Sequence, residues 1–294
     1  MRPLLNLYTA VQRSPHGNAA VWAGAAAAIA ALGLAVGLIE RRLWIPALAL
    51  ALGAAIGHLF LAVVMISRLR AKVNDLHAVV SLEAGLHRAG WRVTDLFTDG
   101  AAANPTLQLF NLKVLQLVKP RTVLELGSGQ TTKVLSAYVR ASPAASVLTL
   151  EQDAAWVERL RPEVIHDYRH VPVVPQTFSC RGSNLHLATT WYEEVPELQE
   201  RQFDYILVDG PDPATDPAKT DYARSGILKY IPSILNQSFV VVFDDAERYA
   251  ESMTVNALTD ILAACQIPHV RFSIYGIKTQ IVFCSPNHAY LRSV

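Results

Sequence analysis

The apolar positions of the chain fall into two regimes, long uninterrupted runs near the start and short runs separated by polar turns after it. Ala19 to Ile39 and Leu43 to Ile66 carry no charged residue, and His58 is the single titratable member of the second run. Each run is long enough to cross a bilayer. Glu40-Arg41-Arg42 leaves room only for a tight turn, so the pattern predicts a transmembrane helical hairpin, 19–39 and 43–66, behind an N-terminal cytosolic segment 1–18. A second run that would still stop transfer argues against a signal peptide. Arg2 and Arg13 precede the hairpin and Arg68, Arg70 and Lys72 follow it, against Arg41 and Arg42 in the turn. That balance puts both ends inside, giving a multi-pass protein of the inner or plasma membrane with its larger part in the cytosol. Leu69, Val73, Leu76 and Val80 then recur at helical spacing, predicting a juxtamembrane amphipathic helix over 67–90 that packs on the next domain. That helix, or the hairpin with Gly33, Gly37, Gly53 and Gly57, also offers a surface for pairing with a second copy.

Beyond Gly90 the runs shorten and alternate with helical segments. Asn104-Pro105 supplies an N-cap and a first-turn proline for a helix over 106–118. Apolar strands follow at Val123–Leu126, Ser146–Glu151, Val171–Val174, Phe203–Val208 and Phe239–Phe243, with a helix from Asp153 to Arg161 after the second. His269–Tyr275 and Thr279–Ser285, joined by Gly276-Ile277-Lys278, read as a closing antiparallel pair. Strands alternating with helices make 91–294 an α/β domain with a doubly wound, mostly parallel sheet. In such a sheet the carboxyl ends of the strands share one crevice, which gathers Glu125, Glu151, Asp209, Asp244 and Asp245.

The loop Gly127-Ser128-Gly129, followed by Gln130-Thr131-Thr132, turns the first strand sharply into a helix. Such a corner suits an anionic group, because helix-start amides point at the ligand and glycine removes side chains from its path. The dinucleotide fingerprint needs glycine at position 132, where this chain has Thr132, so nicotinamide cofactors are disfavoured. The stretch from Glu125 to Thr132 resembles the first motif of class I S-adenosylmethionine-dependent methyltransferases, and the order of the later strands matches theirs from about 104 to 285. The resemblance implies a seven-stranded Rossmann-like sheet with helices on both faces. It also implies an S-adenosylmethionine site built from Glu125, Gly127, Ser128, Gly129, Thr131, Thr132, Glu151, Gln152 and Asp209, with Glu151 on the ribose hydroxyls.

Asp209, Asp244 and Asp245 stand where the catechol-type O-methyltransferases, which this region resembles, hold a divalent cation such as Mg²⁺. Those enzymes have Asp and then Asp-Asn, and a lysine base three residues after the first ligand; here the pair is Asp-Asp and the lysine position is Asp212. Asp209 or Asp212 is then the candidate base. Arg224, Lys219, His186, Trp191 and Tyr192 fall in stretches expected to be loops over the acceptor. The hydrophobic fraction of 51% and mean hydropathy of +0.23 are accounted for by the two spans, and the net charge of +1 gives no footprint for nucleic acid. Cys180, Cys265 and Cys284 have neither metal nor disulfide spacing and suit a reducing compartment. The reading is a membrane-anchored O-methyltransferase acting on a membrane-proximal small molecule, lipid-linked glycan or phenol. The alternative is a tethered cofactor-binding scaffold without turnover.

Overall fold

A computed structural model describes residues 27, 29–34, 44–93, 96, 103–179, 186–212 and 223–294. The chain forms two units, residues 1–72 and 73–294. Most of the first expected span and the turn at 40–42 lie outside the described residues. The second span is helical: it opens α1, Trp44–Ala89. An 18-residue window of this helix has a mean hydropathy of 2.3 with 6% of it buried. A core helix of a soluble protein would hide such a window, so this one is long and apolar enough to cross a membrane. Residues 48–66 span about 28 Å at the α-helical rise, close to the hydrocarbon thickness.

The last third of α1 belongs to the second unit and corrects the expected amphipathic face. Val73, Leu76 and Val80 are exposed, as is Leu69 before them, whereas Asp75, Ala78, Leu82 and Leu86 are buried. Small residues decide the packed side. Leu82 and Leu86 meet Leu112 of α2, Pro105–Leu117, and a Cβ on Gly85 would lie 2.7 Å from Leu112 Cδ2. Gly90, at φ +67°, ends the helix as a left-handed C-cap does.

A seven-stranded sheet follows in the order β3-β2-β1-β6-β7-β9-β8. Its strands are β1 Thr122–Leu126, β2 Ser146–Glu151, β3 Asp167–His170, β6 Phe203–Val208, β7 Leu235–Phe243, β8 Val270–Tyr275 and β9 Thr279–Cys284. The first five are parallel, and β9 runs antiparallel to both β7 and β8. Alternation along each strand feeds two cores. Leu124, Leu126, Leu148, Leu150, Ile206 and Val208 face one side, and Val123, Val147, Tyr205, Leu207 and Val240 the other, near α3, Gln130–Ala141. Burial on both faces is what near-continuous apolar strands require.

The stretch from 171 to 192 departs from expectation. The third parallel strand lies earlier, at β3, and Val173–Ser179 (β4) instead pairs antiparallel with His186–Tyr192 (β5) as a separate ribbon. Trp191 and Tyr192 are fully buried there, so they serve the core and are not loop residues over a ligand. The His186 side chain and Lys219 lie outside the described set.

Candidate functional site

Strand order reverses between β1 and β6, and at that switch point the carboxyl ends of a doubly wound sheet leave a crevice. The Gly127–Gly129 loop closes one side of it. Gly127, at φ +82°, has no room for a side chain, since a Cβ would fall 2.7 Å from the backbone nitrogen of Gly210. Gly129 is extended, and a Cβ there would meet open space. The first glycine is therefore demanded by the fold, and only the second leaves clearance over the loop.

Ser128 is clamped from four directions. Its amide and hydroxyl donate to Glu151 Oε2 at 2.7 and 2.8 Å. The Tyr168 hydroxyl, 2.8 Å away, then donates to Ser128 Oγ, and Trp156 Nε1 donates to the Ser128 carbonyl at 3.1 Å. Glu151 Oε1 accepts from the Asp153 amide at 2.9 Å, while Asp153 caps α4, Ala154–Leu160, through the amides of Ala155 and Trp156. Gln152 lies beside this set, its Oε1 3.4 Å from the Tyr192 hydroxyl. The loop after β1 and the acid at the end of the adjacent β2 are thus locked together before any ligand arrives. Tyr168 and Trp156 were not picked out from the sequence, where an aromatic in an amphipathic stretch looks like any core residue.

Glu125 does not face this crevice. It is fully buried in β1 and accepts from the hydroxyls of Thr131, Thr132 and Thr149 at 2.5, 2.8 and 2.8 Å. Thr131 and Thr132 consequently spend their hydroxyls inside the protein and can offer a ligand only their amides. Because Thr149 donates to Glu125, the His166 Nε2–H donates to Thr149 Oγ1 at 2.9 Å, and Ser136 Oγ–H supplies His166 Nδ1 at 3.1 Å. Burial pushes Glu125 up to about 7 against these hydrogen bonds, and burial pushes His166 down to about 4.

Asp209, Asp244 and Asp245 do converge, with one carboxylate oxygen of each within 4.8 Å of the others. They are not bare. Arg224, expected in a loop over the acceptor, is buried among them. Its Nη2 donates to Asp209 Oδ1 at 3.1 Å and Asp245 Oδ2 at 3.0 Å, and its Nη1 to the Asp244 carbonyl at 2.9 Å. Lys278 Nζ lies 3.5 Å from Asp244 Oδ2 and from Asp245 Oδ1, and Arg248 reaches Asp245 at 2.9 Å. Burial, then repulsion from Asp244, holds the Asp209 carboxyl well above the usual range despite Arg224. Asp245 lies below it, since Arg224, Lys278 and Arg248 outweigh the cost of its burial. Asp212 is exposed and outside this cluster.

A second polar chain reaches the cluster from α1. Asp75 Oδ1 accepts from Asn104 Nδ2 at 3.0 Å and the Thr106 amide at 3.2 Å, and its Oδ2 accepts from the Ile277 amide at 2.8 Å. Gln280 Nε2 donates both to Asn104 Oδ1 at 2.8 Å and to Asp244 Oδ1 at 2.7 Å. Asn104, expected to cap its own helix, hands that task to Asp75. Gln108 is buried in α2 with its amide unpaired among the described residues.

Sheet and loop together define the fold: a Rossmann-like, mostly parallel seven-stranded sheet with a glycine loop and a strand-end acid at its switch point. No family model matches the chain, and no curated protein does. Among solved structures the chain is similar to a putative O-methyltransferase from Klebsiella pneumoniae, at 17% identity and a TM-score of 0.41, over 74% of this chain and 99% of that one. It is also similar to an O-methyltransferase from Bacillus cereus in complex with SAH, at 14% identity and a TM-score of 0.43, over 74% and 99%. These are similarities of fold.

Proposed function

We propose that the protein is a membrane-anchored S-adenosylmethionine-dependent methyltransferase, with an oxygen of a membrane-proximal small molecule, lipid-linked glycan or phenol as acceptor. One observation carries the reading: at the switch point Glu151 and the 127–129 loop are held as a single unit through Ser128. A nucleoside ribose laid on β2 would meet the Glu151 carboxylate, and the cofactor's carboxylate would meet the first amides of α3. Gln152 flanks the base. Methyl transfer from a sulfonium asks the protein mainly to align, to exclude water and to accept a proton.

Asp209 is the proposed base. Its side chain, 21% exposed, is the open member of the acid trio, and Asp244 and Asp245 are closed off at 0% and 3%. A carboxyl whose affinity for protons is raised by burial is a better base near neutrality than an ordinary one. Asp212 has no such environment. The apolar length of α1 supports an acceptor that resides in or at the bilayer, with the catalytic unit on the cytosolic side where the cofactor is made.

The reading is tested by incubating the detergent-solubilised protein with methyl-labelled S-adenosylmethionine and an extract of membrane lipids and glycolipids. Label in the organic or glycan phase, lost in Asp209→Asn, supports it. Cofactor binding without label in any phase favours the scaffold without turnover.

A further inference from the structure

The catechol-type pattern implies a divalent cation on Asp209, Asp244 and Asp245, and the residues present do not fit one. An ion shared by Asp209 Oδ1 and Asp245 Oδ2 would lie about 2.0 to 2.6 Å from each oxygen. Arg224 Nη2 already holds that place, 3.1 and 3.0 Å from the same two atoms. Asp244 Oδ2, the remaining oxygen aimed at the cluster, faces Lys278 Nζ at 3.5 Å.

Position argues the same way. A divalent ion among these acids would lie within touching distance of the Arg224 guanidinium, which is only 5% exposed and faces Glu251 3.8 Å from its Nε. Removing water from like charges at that distance is costly. Nor is the guanidinium a casual visitor, since its Nη1 is fixed to the Asp244 carbonyl.

We propose that Arg224, with Lys278, is a resident cation standing in the divalent-ion position, so that the site works without metal and an acceptor oxygen beside Asp209 is charge-compensated by these two side chains. The proposal rests on the methyltransferase reading for its acceptor, but its central claim concerns cation occupancy and is measured without turnover.

The experiment titrates the full-length solubilised protein with Mn²⁺ by electron paramagnetic resonance, with calorimetric binding of S-adenosylhomocysteine on the same preparation. Wild type is expected to leave the Mn²⁺ spectrum that of the free ion. Arg224→Ala is expected to gain one bound Mn²⁺ per chain, about tenfold tighter than wild type or more, as the carboxylates of Asp209 and Asp245 lose their shared guanidinium and become hard-ion ligands; adding Asp245→Asn should abolish that gain. One Mn²⁺ per wild-type chain, removed by Asp244→Asn, would overturn the proposal, as would a folded Arg224→Ala that gains none. If Arg224→Ala does not fold, Lys278→Gln, less buried, should shift Mn²⁺ affinity the same way, and the wild-type titration decides by itself. S-adenosylhomocysteine binding alongside bound Mn²⁺ sinks only this proposal; its absence without Mn²⁺ sinks the methyltransferase reading.

Discussion

At the residue scale the two glycines of the 127–129 loop separate fold from proposed function. Gly127→Ala forces a side chain into a left-handed backbone and against Gly210, and should cost about 2 kcal/mol or more of stability. Gly129→Ala meets neither obstacle, so its unfolding midpoint should stay within a degree or two of wild type, at about 0.5 kcal/mol, while S-adenosylhomocysteine binding weakens. Equal loss of stability in both variants would contradict the assignment of open space above Gly129. A motif reading treats these glycines alike; their difference appears only when the segment after β6, which carries Gly210, is laid beside them.

Glu125 and His166 make a second residue-scale case, because their titrations oppose each other. The unfolded chain releases the Glu125 proton near 4.5 and the folded chain holds it to about 7. Its contribution is present below the lower value and lost as pH rises through the upper one. His166 stays neutral in the folded chain down to about 4, against 6.5 unfolded, so its contribution is lost as pH falls through that window. Each is worth about 3 kcal/mol in the limit. Relative to wild type, His166→Gln should gain stability between pH 7 and pH 4.5, and Glu125→Gln should lose it, in denaturant titrations. Parallel pH curves for all three proteins would show that the pair does not titrate as its burial requires. The sequence placed Glu125 with the ligand acids because it is one residue from the strand end; strand alternation turns it to the opposite face, toward Thr131 and Thr132.

At the scale of elements, the end of α1 is tied to the rest of the second unit by a carboxylate as well as by Leu82 and Leu86. Asp75 satisfies the first turn of α2 and the β8–β9 turn that carries Lys278. Asp75→Ala strands the backbone amides of Thr106 and Ile277 and removes one of the two acceptors of Asn104 Nδ2, and should destabilise the second unit by about 3 kcal/mol in thermal or denaturant unfolding. His77→Ala, exposed on the same helix, serves as the control and should be silent; equal effects would mean Asp75 is not the anchor. Helical spacing in this segment offers two apolar stripes, one of Leu69, Val73, Leu76 and Val80 and one in which Leu82 and Leu86 alternate with the small residues Ala78 and Gly85. The close approach of α2 at Gly85 selects the second, a choice invisible without the partner helix. Likewise β4 and β5 are hidden in a stretch where Pro175 and alternating polar residues read as loop, whereas the buried parallel strands, apolar on both faces, were plain.

At the scale of the whole molecule, the acids at the strand ends were legible because a doubly wound sheet brings its carboxyl ends together whatever the sequence between. Arg224 was not, since a lone arginine after a polar stretch has nothing local to mark it as buried. The proposed hairpin predicts that, to an impermeant thiol reagent in intact cells, Arg41→Cys reports the side of the membrane opposite to both Arg13→Cys and Val294→Cys. Arg13→Cys and Arg41→Cys on one side with Val294→Cys on the other would leave a single crossing.

The measurement closest to the central claim is calorimetric titration of the solubilised protein with S-adenosylhomocysteine and with NAD, for wild type and Glu151→Ala. The account predicts that wild type binds the sulfur nucleoside and not NAD, and that Glu151→Ala weakens binding by about 1.5 to 3 kcal/mol, roughly ten- to a hundredfold. Absence of binding to wild type, or equal affinity in Glu151→Ala, would contradict it.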